Sequence, residues 1–158
     1  MLYFLVLFAV IGLDQTTKIW VMQSFHLYES RQIVPGLFDL TYVRNTGVAF
    51  SMFAHHDSPW GHYFFVGINC LAVVGLTLAH FRLQNGRSRY AIPFALIAGG
   101  AAGNVVDRLR FGWVIDFLDV YVGTHHWPTF NVADSAICLG VGLFLAINFR
   151  EEKMKSQL

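Results

Sequence analysis

The chain has 158 residues, of which 55% are hydrophobic and only 13% charged, and its formal net charge is +1. A soluble domain carries about a quarter charged residues, so this composition points to one compact domain with lipid as its solvent. The near-neutral balance, with no basic patch interleaved with aromatics, gives no basis for a nucleic-acid partner.

A helix that crosses a bilayer needs about 20 mostly apolar residues. Four segments meet that need, and together they predict a single integral-membrane domain over residues 1–158. The first covers residues 2–22 and is interrupted by Asp14 and Lys18. It lacks a basic leader and a small-residue cleavage site, so it reads as a retained span rather than a signal peptide. An outer loop follows. In it, residues 37–43 alternate roughly and are β-prone, Asn45-Thr46-Gly47 reads as a turn, and residues 48–53 are apolar again. That pattern predicts a hairpin with glycine at a positive φ. Residues 54–62 are rich in histidine and read as a solvated loop with no assigned role.

The second span covers residues 63–81 and the third residues 90–106. A second outer loop carries Asp116, Asp119, Trp127 and Pro128. The fourth span covers residues 130–149, with Asp134 its only charge. Four crossings put both termini on one side. That side holds the acid-free loop 82–89, with Arg82, Arg87 and Arg89, and the tail with Arg150, Lys153 and Lys155. The positive-inside rule therefore places both termini in the cytoplasm. Cys70 and Cys138, the two cysteines, form no C-x-x-C pair and read as small buried core residues.

Ionisable groups inside a span are costly and are functional candidates by default. Asp14 lies roughly 18 Å along the first helix, just past the midplane. Asn104 and Asp107 close the outward-running third helix, and Asn131 and Asp134 open the inward-running fourth. All of them converge on the outer half of the membrane. Each also has a plain reading. Asp14 and Lys18, spaced i, i+4, can neutralise each other. Arg108 can snorkel to the headgroups. Asp134 can be a helix-start residue, although its place within a long apolar run argues that it lies inside the helix.

Asp107, Asp116, Asp119 and Asp134 supply four carboxylates around the third and fourth helices. Two carboxylates a few ångströms apart cannot both ionise easily, so one retains a proton. Such a dyad can activate a water for attack on a carbonyl and protonate the leaving amine. Spacing does not say which two would pair, and separate ion pairs with Arg108 and Arg110 are the alternative. There is no H-E-x-x-H, no G-x-S-x-G and no glycine-rich phosphate loop. His55, His56, His125 and His126 lie in outer loops, and His62 and His80 at opposite ends of the second helix, which does not suit a haem between spans. Gly99, Gly100 and Gly103 suit close helix packing.

Taken in order, five motifs are more specific than any one alone. They are Asp14-Gln15-Thr16-Thr17-Lys18, Asn45-Thr46-Gly47-Val48-Ala49-Phe50, Gly103-Asn104-Val105-Val106-Asp107-Arg108, Gly112-Trp113-Val114-Ile115-Asp116-Phe117 and Pro128-Thr129-Phe130-Asn131-Val132-Ala133-Asp134-Ser135. Across residues 14–135 the chain resembles the lipoprotein signal peptidase (signal peptidase II) family. The resemblance implies an all-α membrane fold of four transmembrane helices, with a small extracytoplasmic β-hairpin or cradle and a short flap around Asp116. It implies an aspartyl endopeptidase with Asp116 and Asp134 catalytic and Asp107 supporting. Asn45, Asn104, Arg108 and Asn131 would line the site and orient substrate or catalytic groups. Asp14 and Lys18 would hold the first helix in place, and Gly47 and Gly100 would allow close backbone approach. No metal or cofactor is implied.

The implied substrate is a diacylglyceryl-modified prolipoprotein, cleaved on the amino side of its lipidated cysteine. The implied setting is the bacterial cytoplasmic (inner) membrane, with membrane lipids as partners, a monomeric enzyme and the active site near the outer face. A different class, a subunit of a proton- or ion-coupled transporter, would also use intramembrane carboxylates. It would need polar groups on both halves of the membrane. A non-enzymatic scaffold with ion-paired acids is the third reading.

Overall fold

Four long helices and a small antiparallel sheet make up the residues that the computed structural model describes, 1–47, 59–82 and 88–155. The helices are α1 (Leu2–Ser24), α2 (Pro59–Arg82), α3 (Ala91–Phe111) and α4 (Val132–Lys155). The strands are β1 (Ser30–Val34), β2 (Phe38–Asn45), β3 (Val114–Val122) and β4 (His125–His126), in the spatial order β1-β2-β3-β4.

Three of the helices are long and apolar enough to cross a membrane, over Leu2–Ser24, Gly61–Arg82 and Val132–Met154. They coincide with the first, second and fourth expected spans, and the chain is a multi-pass membrane protein. The third expected span, residues 90–106, is helical but falls outside that class. α3 packs against α1, α2 and α4, so protein rather than lipid covers Asn104, Asp107 and Arg108 on it. Polar residues in a bundle face its interior for this reason.

The packing around α3 is close. A Cβ on Gly100 would collide with the Ala133 carbonyl oxygen of α4 and lie 2.8 Å from Ile137 Cγ1. Gly47, at φ +93°, leaves no room either, since a Cβ there would stand 2.6 Å from the Phe65 ring of α2. At both positions a neighbouring element comes too close for a side chain. At one end of the bundle Tyr3, Leu7, Tyr90, Phe94 and Ala98 form an apolar core. At the other end Val21 of α1 and Phe25, just beyond its end, pack beneath Tyr42, Ile115 and Phe117 of the sheet.

α3 ends on Gly112, which is left-handed at φ 86° and donates its N–H to the Arg108 carbonyl. The chain then enters β3 almost at once, which lifts Asp116 onto the sheet beside the helix end. β2 pairs with β3 so that Val43 faces Asp116 and Asn45 faces Val114. Between Leu40 and Val43 the register shifts by one residue. This bulge turns Asn45 onto the same face as Asp116.

The hairpin differs from the expectation. Its turn lies between β1 and β2, at Pro35-Gly36, not at Asn45–Gly47. Every β1 residue is exposed, so no alternation marked it in the sequence. Gly47 does have the expected positive φ, while residues 48–53, expected as the second strand, lie outside the described residues. So do residues 54–58 of the histidine-rich stretch and Arg87. The segment around Asp116, expected as a flap, is the inner part of β3, with Val114–Phe117 buried. Cys70 and Cys138 are exposed on α2 and α4, not buried. In a membrane protein the apolar outer surface faces lipid, so apolar character there does not signal a core position.

Candidate active site

Asn131 and Asp134 open α4 as a reciprocal cap. The Asn131 N–H donates to Asp134 Oδ2 at 3.2 Å, and the Asp134 N–H donates to Asn131 Oδ1 at 3.0 Å. The pair satisfies two backbone donors at once, as in a capping box. This corrects the reading of Asp134 as a mid-helix residue. The helix starts at Val132, so Asp134 sits in its first turn. Its second oxygen, Oδ1, accepts a hydrogen bond from Asn104 Nδ2 at 2.8 Å.

Asp116 is 2% exposed. Asn45 Nδ2 donates to its Oδ2 at 2.8 Å, and Asn131 Nδ2 to its Oδ1 at 2.7 Å. Burial pushes its pKa up to about 6, and the negative charge of Asp134 adds to the rise. The two amide donors and the charge of Lys18 act in the opposite direction. Asn131 therefore touches both aspartates, and Asp116 senses the charge of Asp134.

The other two candidate acids lie elsewhere. Asp107 is fully buried and binds Lys18 Nζ at 2.8 Å, Gln15 Nε2 at 2.8 Å and the Ile115 N–H at 3.1 Å. It ties α3 to α1 and to the root of β3. Asp119 is three residues beyond Asp116 on one strand, so it points to the opposite face. There it meets His126 Nδ1 at 2.9 Å. Among the described residues no ion pair joins Arg108 or Arg110 to a carboxylate.

Asp14 and Lys18 pair as their spacing suggests, at 2.9 Å, but the pair is not closed. Lys18, 1% exposed, also reaches Asp107 and donates to Asn104 Oδ1 at 3.0 Å. Asp14 Oδ1 accepts the Ala133 N–H at 3.0 Å, one of the first-turn donors that a helix cannot satisfy internally. Arg108 does not snorkel. It is 9% exposed, with its guanidinium 5.2 Å from the centre of the Phe65 ring. Among the described residues its Nη1 has no hydrogen-bond partner.

Gln15 is the residue that sequence reasoning passed over. Its amide donates to Asp14, to the Gly103 carbonyl and to Asp107. The same argument that singled out Asp14, a polar side chain inside an apolar span, would have found it. The expected residues from α1, β2, α3, β3 and α4 thus meet at one end of the bundle. Their chemistry is that of two carboxylates held by amide donors beside a buried cation.

Residues 6–150 match the family model described as signal peptidase (SPase) II. The chain is 46% identical over 145 residues to the lipoprotein signal peptidase of Geobacter metallireducens, covering 92% of this chain and 88% of that one. It is 46% identical over 146 residues to the lipoprotein signal peptidase of Haemophilus influenzae strain Rd, covering 92% and 84%. Its fold matches a bacterial membrane enzyme solved by the in meso method at 2.3 Å resolution. The TM-score is 0.81 at 26% identity, over 97% of this chain and 90% of that one.

Proposed function

The chain belongs to the signal peptidase II family, and on that premise we propose that Asp116 and Asp134 are the catalytic pair with which it cleaves prolipoproteins. It is an aspartic-type membrane peptidase that removes the signal peptide from diacylglyceryl-modified prolipoproteins, cutting on the amino side of the lipidated cysteine. The observation that carries the residue assignment is Asn131, which hydrogen-bonds both aspartates.

The two acids have unequal environments. Asp116 is buried with a raised pKa, so it holds the proton of the pair. Asp134 is half-buried and accepts hydrogen bonds from Asn104 and from the Asn131 N–H. As water attacks the scissile carbonyl, Asp134 takes its proton and Asp116 gives its own to the carbonyl oxygen. A neutral tetrahedral diol results. Its collapse passes the proton on Asp134 to the leaving amine and returns a diol proton to Asp116. Arg108, whose Nη1 has no partner among the described residues, orients the substrate beside the pair. No covalent enzyme intermediate forms.

α3, at 21 residues, is roughly 31 Å long and matches a hydrocarbon core of about 30 Å. We read it as the fourth crossing, shielded by its neighbours. Arg82, Arg89 and Arg150 lie at the end away from the site, which favours cytoplasmic termini in the inner membrane. The site then sits at the outer face. Acyl chains hold a lipidated cysteine at that level, where the signal helix meets the headgroups. The enzyme would work as a monomer among membrane lipids. The buried acidic and basic side chains of the described helices, Asp14, Lys18, Asp107 and Arg108, all lie at the site end, which argues against the charged path a transporter would use.

Single-turnover cleavage in oxygen-18 water tests the mechanism. Direct hydrolysis puts one solvent oxygen into the new carboxylate of the signal peptide. A peptide ester trapped on either aspartate would overturn the non-covalent route.

A further inference from the structure

Three asparagines surround the two aspartates, and each has its carbonyl oxygen held by a donor. The Gly47 N–H donates to Asn45 Oδ1 at 2.8 Å, the Asp134 N–H to Asn131 Oδ1 at 3.0 Å, and Lys18 Nζ to Asn104 Oδ1 at 3.0 Å. A carboxamide presents oxygen on one side and NH2 on the other, so holding the oxygen decides where the N–H bonds point. All three point at a carboxylate, Asn45 and Asn131 at Asp116 and Asn104 at Asp134. Two of the three holds are backbone amides. The third is a side chain.

We propose that Lys18 is a positioning residue for the reaction: its ammonium occupies Asn104 Oδ1 and so forces the Asn104 amide to present its N–H to Asp134. This goes beyond holding the first helix in place, and it rests on the reading of Asp134 as the base. An ammonium only donates, and an ionised carboxylate only accepts. Between Lys18 and Asp134 one orientation of Asn104 satisfies both neighbours. The flipped amide would set NH2 against the ammonium and oxygen against the carboxylate. Asn131 Nδ2 also reaches Asn104 Oδ1, at 3.2 Å, but the same NH2 serves Asp116 at 2.7 Å and the Ile115 carbonyl at 3.2 Å. With two protons for three acceptors, its hold on Asn104 is the shared one. Lys18 has no such competition, because its three acceptors match its three protons.

Among the described residues, the charged groups around this relay are Asp14 and Lys18 from α1, Asp107 and Arg108 from α3, Asp116 from β3 and Asp134 from α4. The described part of α2 presents the Phe65 ring. Removing Lys18 alone would strand two buried carboxylates, so the test removes one of them with it. Lys18→Met with Asp107→Asn deletes one positive and one negative charge together, and Asp107→Asn alone is its reference.

The measurement is the pH profile of kcat/KM for prolipoprotein cleavage. Relative to the reference, the double variant moves the acid limb upward by about one pH unit and lowers kcat about tenfold, because a donor to the ionised base is lost. KM stays near the reference value. Lys18→Gln in the same background, which keeps an N–H toward Asn104, leaves the limb in place and serves if the methionine variant does not fold. Gln15→Leu, which loosens the same helix contact without touching Asn104, lowers the melting temperature but not the limb. An unmoved limb in Lys18→Met/Asp107→Asn, or a moved one in Lys18→Gln/Asp107→Asn, overturns the proposal. So does a limb moved equally by Gln15→Leu. Asp134→Asn separates the two claims. If it is inactive while the limb stays unmoved, the relay falls and the dyad stands. If it cleaves, the dyad falls, and the relay with it.

Discussion

The Ala133 N–H donates to Asp14 Oδ1 at 3.0 Å, so a carboxylate from the first helix caps the helix that begins with the Asn131–Asp134 pair. The same carboxylate holds Lys18 through its other oxygen. Asp14 therefore joins helix docking to the placement of Asp134. Asp14→Ala removes one partner of a buried ion pair and should cost about 3–5 kcal/mol. Asp14→Asn retains an acceptor for the Ala133 N–H and should cost less. Thermal unfolding in detergent gives the order wild type, Asn, Ala, and cleavage activity should fall in that order too.

Asp116 makes a prediction of the opposite sign. Its folded-state pKa, about 6, lies above the ordinary 3.8 because burial disfavours the charged form. The protonated form is thus favoured by folding. The stability it contributes is complete below about pH 3.8 and is lost as pH rises to about 6. A shift of this size corresponds to about 3 kcal/mol. Asp116→Asn removes that cost, but its NH2 must face one of the two amide donors, which takes back about 1–2 kcal/mol. The inactive variant should therefore melt above the wild type at pH 8, and the order should reverse by pH 4, where the wild-type carboxyl is protonated and the amide penalty remains. A constant gap across that range would contradict the buried carboxylate described here.

Gly100 offers a packing test. An alanine there meets the Ala133 carbonyl and Ile137, so α3 and α4 must separate, and Asp134 moves with α4. Overpacking of this kind costs about 1–3 kcal/mol, and kcat should fall with it. Gly75, in the interior of α2, has room for a Cβ, with no described atom within 4 Å of where it would stand. Gly75→Ala should leave activity intact and stabilise by about 0.5–1 kcal/mol through helix propensity.

The long elements were legible because lipid imposes a length and a composition. The convergence of Asp14, Asn104, Asp107, Asn131 and Asp134 at one end was legible for the same reason, since helix direction fixes depth. The sheet was not. β1 is exposed throughout and shows no period, and Pro35-Gly36 was the turn signal to weigh. Choosing among four carboxylates needed the strand as well. Asp116 and Asp119 look alike in a loop, but once β3 is a strand their odd spacing sends them to opposite faces. The part played by Lys18 was hidden because its partners on α3 are 86 and 89 positions away in sequence.

The most direct measurement is cleavage of a diacylglyceryl-modified prolipoprotein by the purified protein, alongside Asp116→Asn and Asp134→Asn. Circular dichroism and gel filtration should show both variants folded. The expected result is a signal peptide released by the wild type, ending just before the lipidated cysteine, and no cleavage by either variant. A folded variant that retained full activity would contradict the catalytic pair.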